Sequence, residues 1–178
     1  MSNEKLEALS ARLGQAGRDS RNWSPSHCGD IDIRIDRDGQ WHYLDSPIQR
    51  LELVKLFASV LRFEEGEYFL VTPVEKLRIQ VEDAPFLIAD ADLLAEGQPE
   101  QRVQMKTTLG EVFELDAEHP IKMLGEGDET KPYAHVRDGL WGLLSRPCYY
   151  RLVEQVETLP DQEDQYGLFS RGLWFRLL

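Results

Sequence analysis

Ile31, Ile33 and Ile35 alternate with Asp32, Arg34 and Asp36, the period of two that marks a strand with one buried face. Asp38-Gly39 follows with residues that tolerate a tight turn, and Trp41-His42-Tyr43 returns, so residues 31–43 predict a β-hairpin. The apolar spacing then lengthens to a helical one. Leu53, Val54, Phe57, Ala58, Val60 and Leu61 form one broad arc, with Gln49, Glu52, Lys55, Ser59 and Arg62 opposite. Ser46 and Pro47 stand where an N-cap and a first-turn proline would open this helix. A turn at 64–67 and two further strands, Tyr68–Thr72 and Lys76–Glu82, complete a unit of hairpin, helix and hairpin.

The pattern recurs one hundred residues later. Arg37 to Pro47 reads RDGQWHYLDSP and Arg137 to Pro147 reads RDGLWGLLSRP, six identities in eleven positions, Trp, Gly and Pro among them. Further on, Tyr68–Thr72 matches Tyr166–Ser170, and Leu77-Arg78-Ile79 matches Phe175-Arg176-Leu177. The second copy predicts a hairpin over 134–144, a helix opened by Ser145 and Pro147 that runs to about Glu157, and closing strands from Gly167 to Leu178. Between the copies, 85–89, 101–107, 112–115 and 120–124 read as bridging strands, and 95–100 as a linker. Leu6, Leu9 and Leu13 give the first 17 residues one apolar helical stripe, followed by a loop over 17–25. The expected class is therefore α+β and β-rich: two repeated ββαββ-like units with antiparallel curved sheets and bridging strands. The expected divisions are 1–24 (helix and loop), 25–94 (first unit) and 95–178 (bridging strands and second unit).

Composition narrows the functions open to such a fold. The 178 residues carry 20 basic and 32 acidic side chains, net −12, of which −5 falls in 1–90 and −7 in 91–178. A chain of this size can bury about 70% of its unfolded surface. The spread of acid opposes nucleic-acid backbones and anionic membranes as partners. Acidic runs at 64–67, 126–129 and 161–164 sit among turn residues and read as solvated loops. No apolar run approaches a membrane span, and the opening residues carry no apolar core, so no secretory signal is expected. Two cysteines, Cys28 and Cys148, cannot build a disulfide framework and suit a reducing, cytoplasmic setting.

Candidate chemistry is sparse. Arg50 falls inside the apolar arc of the first predicted helix, where a guanidinium must pair; Asp83 and Glu75 are the acids nearest to hand, and the alternative is an anion-holding arginine. Glu75 and Lys76 follow a polar turn beginning at Thr72, a place where side chains reach a cleft mouth. Asp83 precedes a strand-breaking Ala-Pro corner. The four histidines and two cysteines lack zinc-ligand spacing, and no phosphate loop or nucleophile motif occurs. Cys148 reads as a small packed hydrophobe, and Trp41 and Trp141 as core residues of the two hairpins.

Several blocks in order resemble a known family. They are Cys28–Ile35, Gly39-Gln40-Trp41, Ser46–Arg50, Leu56–Leu61, Leu70–Lys76, Val81–Phe86, Pro132-Tyr133, Val136-Arg137 and Ser145-Arg146. Together they are similar to bacterial domain-of-unknown-function family 1285, found mainly in proteobacteria, from about Pro25 to the C-terminus. The resemblance implies an α+β fold of repeated motifs, no established catalytic activity, and a regulatory or signalling role. Pro147 and the small Gly142 depart from the family pattern.

These observations point to a cytoplasmic ligand- or protein-binding module with a groove near Arg50, Thr72, Glu75, Asp83, Arg137 and Arg146. The alternative is a small hydrolase or transferase with Glu75 or Asp83 as base and Arg50 or Arg146 holding an anionic group. A third is a dimer subunit joined through the apolar C-terminal strand. A protein or a small anionic ligand is the expected partner, with no nucleic acid, membrane, metal or cofactor, and the chain a monomer or weak homodimer.

Overall fold

The structure is a computed structural model that describes residues 4–15, 22–159 and 162–178. Most of the loop expected at 17–25, and Asp161 of the third acidic run, lie outside the described residues. The chain divides into two units, Met1–Asp83 and Ala84–Leu178. The sequence puts this break at 94/95, but Phe86–Leu94 is a strand of the second unit's large sheet.

In the first unit, helix α1 (Glu4–Gln15) precedes strands β1 (His27–Ile35), β2 (Trp41–Tyr43) and β3 (Ser46–Pro47). Helix α2 (Leu51–Ser59) leads to β4 (Leu61–Glu64), β5 (Glu67–Val71) and β6 (Glu75–Val81). The sheet order is β3-β2-β1-β6-β5-β4, antiparallel except for the parallel β1–β6 pair. Ile31, Ile33 and Ile35 point into the core with Trp41, whose ring stacks on Phe57 of α2 at 6.4 Å.

Helix α2 is shorter than its sequence suggests. Leu44 and Asp45 adopt φ of 49° and 60°, making a two-residue hairpin turn that pairs Ser46 and Pro47 with β2. Proline suits this edge position because no ladder bond is asked of its nitrogen. Arg50 becomes the N-cap, in extended backbone, so it stands before the apolar arc rather than within it. At the other end Leu61 joins β5 across a tight Glu65-Gly66 turn, which stops the helix at Ser59.

The second unit holds β7 (Phe86–Leu94), β8 (Arg102–Thr107), β9 (Val112–Glu114), β10 (Ile121–Leu124), β11 (Lys131–Arg137) and β12 (Leu140–Leu144). Helix α3 (Arg146–Val153) follows, then β13 (Glu157–Leu159), β14 (Gln162–Ser170) and β15 (Leu173–Arg176). A six-stranded sheet runs β10-β11-β12-β7-β8-β9, with β12–β7 parallel, and β13-β14-β15 form a second sheet. The third acidic run thus opens β14 from Gln162 onward. Ser145 caps α3 by accepting the Cys148 N–H at 3.3 Å, with Pro147 in the first turn, as the spacing predicts.

Hairpin, helix and three-stranded meander recur in the same order, and the repeat is visible in the strand register. Ile35 faces Trp41 as His135 faces Trp141, and Gly39 and Gly139 take φ of 79° and 77° in the two turns. Phe69 faces Arg78 as Gly167 faces Arg176, and Leu70 faces Leu77 as Leu168 faces Phe175. What differs is the face that is buried. The first hairpin buries 31, 33, 35 and 41, whereas the second buries 132, 134, 136 and 140. Trp141 is consequently half-buried on the outer face, its edge against His135 at 5.3 Å and Lys122 over its ring at 4.5 Å. Its expected place in the core is taken by Leu140.

The two cysteines have opposite surroundings. Cys28 is exposed; Cys148 is fully buried, and burial pushes its thiol up to about 11. A thiol reagent at pH 8 is expected to modify Cys28 within minutes and Cys148 only on unfolding. Because the fold holds the Cys148 proton to higher pH than the unfolded chain does, stability is intact below about pH 9. It falls as the pH rises toward 11, by up to about 2–3 kcal/mol. Urea unfolding of the wild type and Cys148→Ala across this range isolates the effect, and an equal loss in both would contradict it.

Candidate functional site

The residues proposed from sequence for one groove are divided between the units. Four lie in the first. Thr72 is fully buried, and its hydroxyl accepts the N–H groups of Val74 (3.3 Å) and Glu75 (3.0 Å) while lying 3.1 Å from the Glu75 carbonyl. It therefore ties the turn that launches β6. Glu75 leaves that turn toward α1 and is held by Arg12. Arg50 reaches α1 from the other side, donating to Glu7 at 2.6 Å. The sequence placed Arg50 on the buried arc with Asp83 or Glu75 as partner; it is instead 61% exposed, and its partner comes from the N-terminal helix. Asp83 ends the unit, where its charge, after burial, helps raise the Tyr68 phenol.

Between Arg50 and Glu75 lies α1 itself. Leu6, Leu9 and Leu13, spaced i, i+3, i+7, are each at most 5% exposed, and α1 packs on α2. Glu7 and Arg12 flank this stripe on opposite sides of the helix. The first unit thus presents a seat for an amphipathic helix, with a cation beside it at the N-cap of α2 and a carboxylate at the start of β6. The leucine stripe was visible in the sequence; its ion-pair partners were not, because nothing local links residues 7 and 50 or 12 and 75.

A second feature of this unit has no local sequence signal. Where β1 bulges from β6, between Asp30 and Arg34, a polar cavity of about 950 Å³ opens, lined by Lys5, Asp30, Asp32, Glu67, Tyr68 and Arg78 among others. Arg78 donates from Nε to Asp30 and from Nη1 to Glu67, both at 2.8 Å, and the two carboxylates strengthen its hold on its proton. Nearby, Lys76 spans Glu64 (2.7 Å) and the face of Phe69 (4.4 Å). Lys76 holds Glu64 below the ordinary carboxylate range against the opposing push of burial, with Arg62 assisting.

The remaining two candidates lie in the second unit. Arg137 donates to both carboxylate oxygens of Glu111 at 3.2 and 3.3 Å and lies over the Phe86 ring. Arg146 is exposed in the first turn of α3. Phe113, His119, His135 and Trp141 form a continuous run of ring contacts at 5.3–6.1 Å. His135 is fixed within it, Nδ1 donating to the Glu118 carbonyl and Nε2 accepting the Gly139 N–H. Asp116 bonds His119 at 2.9 Å; burial pushes its carboxyl up, but the His119 and Glu118 bonds outweigh this and lower it. Among the described residues, no group of three or more His, Cys, Asp or Glu side chains is placed to hold a metal ion. Within the same residues, no helix is long and apolar enough to cross a membrane.

Comparison with known proteins agrees with this architecture. The N-terminal domain model of DUF1285, a domain of unknown function, matches residues 20–84, and its C-terminal domain model matches 85–177. The crystal structure of a DUF1285 family protein from Silicibacter pomeroyi is 38% identical and superposes with a TM-score of 0.87, covering 97% of this chain and 94% of its own. A second DUF1285 family protein, from Shewanella baltica, is also 38% identical, with a TM-score of 0.56 over 70% of this chain and 92% of its own. No curated protein matches the chain. With both family models covering nearly its whole length, one on each structural unit, this chain belongs to the DUF1285 family.

Proposed function

We propose that this protein is a cytoplasmic binding module that holds segments of partner proteins in a regulatory role. The observation that carries this reading is the use made of Arg50 and Glu75: both are spent on seating a helix. A hydrolase or transferase with Glu75 as base would need that carboxylate open to substrate. Asp36, Glu64, Asp90 and Asp116 are each held below the ordinary carboxylate range, the opposite of a general base poised near neutrality. Arg137 is likewise committed to Glu111.

Purification of the tagged full chain under native conditions, followed by mass spectrometry, tests this. A protein is expected to co-elute in fixed ratio, and tagging that protein should recover the chain in return. A small molecule released on denaturation, with no protein in stoichiometric amount, would overturn the reading.

A further inference from the structure

We propose that the seat of α1 is a docking groove for an amphipathic helix of a partner protein, and that α1 fills it in cis until such a helix displaces it. This rests on the binding-module reading above and names the partner's chemistry. The groove recognises three leucine-sized side chains at i, i+3 and i+7, as Leu6, Leu9 and Leu13 show. It also reads charge: an acid at i+1 meets Arg50, as Glu7 does, and a base at i+6 meets Glu75, as Arg12 does. The complementarity is directional, since reversing the helix would bring acid to Glu75 and base to Arg50.

Helix α1 is suited to leave. It contributes no strand to the sheet, and the three leucines are its buried residues. The Arg50–Glu7 pair is solvent-facing, with both side chains more than half exposed. Arg12 is also more than half exposed, while its partner Glu75 is 16% exposed and is the one charged anchor of the seat that lies mostly out of water. A helix of 12 residues is marginal in water by itself, so α1 is ordered chiefly by the groove it fills. Helix-in-groove recognition of this kind takes affinity from the apolar stripe and register from the flanking charges.

The test uses a dye-labelled peptide of residues 4–15 as the probe helix and the full-length chain, read by fluorescence anisotropy. Leu9→Asp in the chain removes the middle anchor of α1. A second chain carrying Glu7→Arg and Arg12→Glu repels α1 from Arg50 and Glu75 without touching a leucine. Both are expected to bind the peptide at least about tenfold more tightly than the wild type, whose own helix competes at high effective concentration. A peptide carrying Leu9→Asp should not bind. Adding Arg50→Glu to the Leu9→Asp chain should weaken the native peptide about two- to fivefold and favour a Glu7→Arg peptide instead.

Folded variants that ignore the peptide, or that bind it no better than the wild type, overturn the proposal. So does failure of both variants to fold by circular dichroism, which would make α1 part of the unit's core. A wild-type dimer that Leu9→Asp splits would make a second copy the occupant and overturn the assignment to a partner. Recovery of a protein partner by a chain whose groove ignores the peptide would retire the groove and leave the binding-module reading standing.

Discussion

Replacing Gly167 with alanine is expected to destabilise the second unit by about 3–5 kcal/mol. A Cβ at this position would lie 2.1 Å from the Phe175 carbonyl oxygen and 2.9 Å from both its carbon and Cζ2 of Trp174. The first of these is backbone in the facing strand, so no side-chain rotation relieves it. The equivalent residue in the first copy is Phe69, a large side chain at the same register position opposite Arg78. β14 and β15 therefore pair as β5 and β6 do, but approach so closely at 167 that the Trp174 ring lies over the bare backbone, the arrangement by which an aromatic covers a strand glycine. An inserted methyl pushes β15 away. That strains the Leu168–Phe175 pairing and the bond from the Tyr149 hydroxyl to the Leu177 carbonyl. Urea unfolding followed by tryptophan fluorescence measures the loss, and a Gly167→Ala chain within about 0.5 kcal/mol of the wild type would refute this account.

The contrast between Gly167 and Phe69 shows what local pattern can and cannot carry. The duplicated Arg-Asp-Gly turn, the alternating isoleucines and the Ser145 cap are short-range signals, and the hairpins, α3 and the repeat register follow from them. Even the inverted burial is written in the chain, since apolar residues fall at 31, 33 and 35 in one copy but at 132, 134 and 136 in the other. The repeat match on Trp41 and Trp141 masks it, because it aligns register, which is shared, and not the buried face. The lost first turn of α2 arose where two local rules competed for Ser46-Pro47: a helix start and an edge strand behind a two-residue turn. The turn formed by Leu44 and Asp45 prevailed. Parallel pairs β1–β6 and β12–β7, and the ion pairs that seat α1, join residues tens of positions apart. No periodicity encodes such pairings, which is why Arg50 and Glu75 could be nominated as a site while their partners stayed hidden.

Ser170→Ala carries the other large expected effect, a loss of about 3–4 kcal/mol, because one hydroxyl satisfies two buried backbone groups. Ser170 is fully buried; its Oγ accepts the Val103 N–H at 2.9 Å and donates to the Leu115 carbonyl at 2.6 Å. Through it, β14 of the small sheet is fastened to β8 and the end of β9 in the large one. Alanine leaves both groups without a partner, and each buried orphan costs about 1–3 kcal/mol. The repeat places Thr72 at the corresponding position, also fully buried, but there the hydroxyl bonds its own turn. One buried hydroxyl thus serves two ends: it closes a turn where the meander continues the sheet of its own unit, and bridges two sheets where the meander stands apart. Ser170→Thr keeps the hydroxyl and should lose less than Ser170→Ala, which separates the bond from the packing. Amide exchange gives the most local measurement, since the Val103 N–H should lose protection selectively in Ser170→Ala. If that amide stayed as protected as in the wild type, the hydroxyl would not be what ties Val103 to the small sheet.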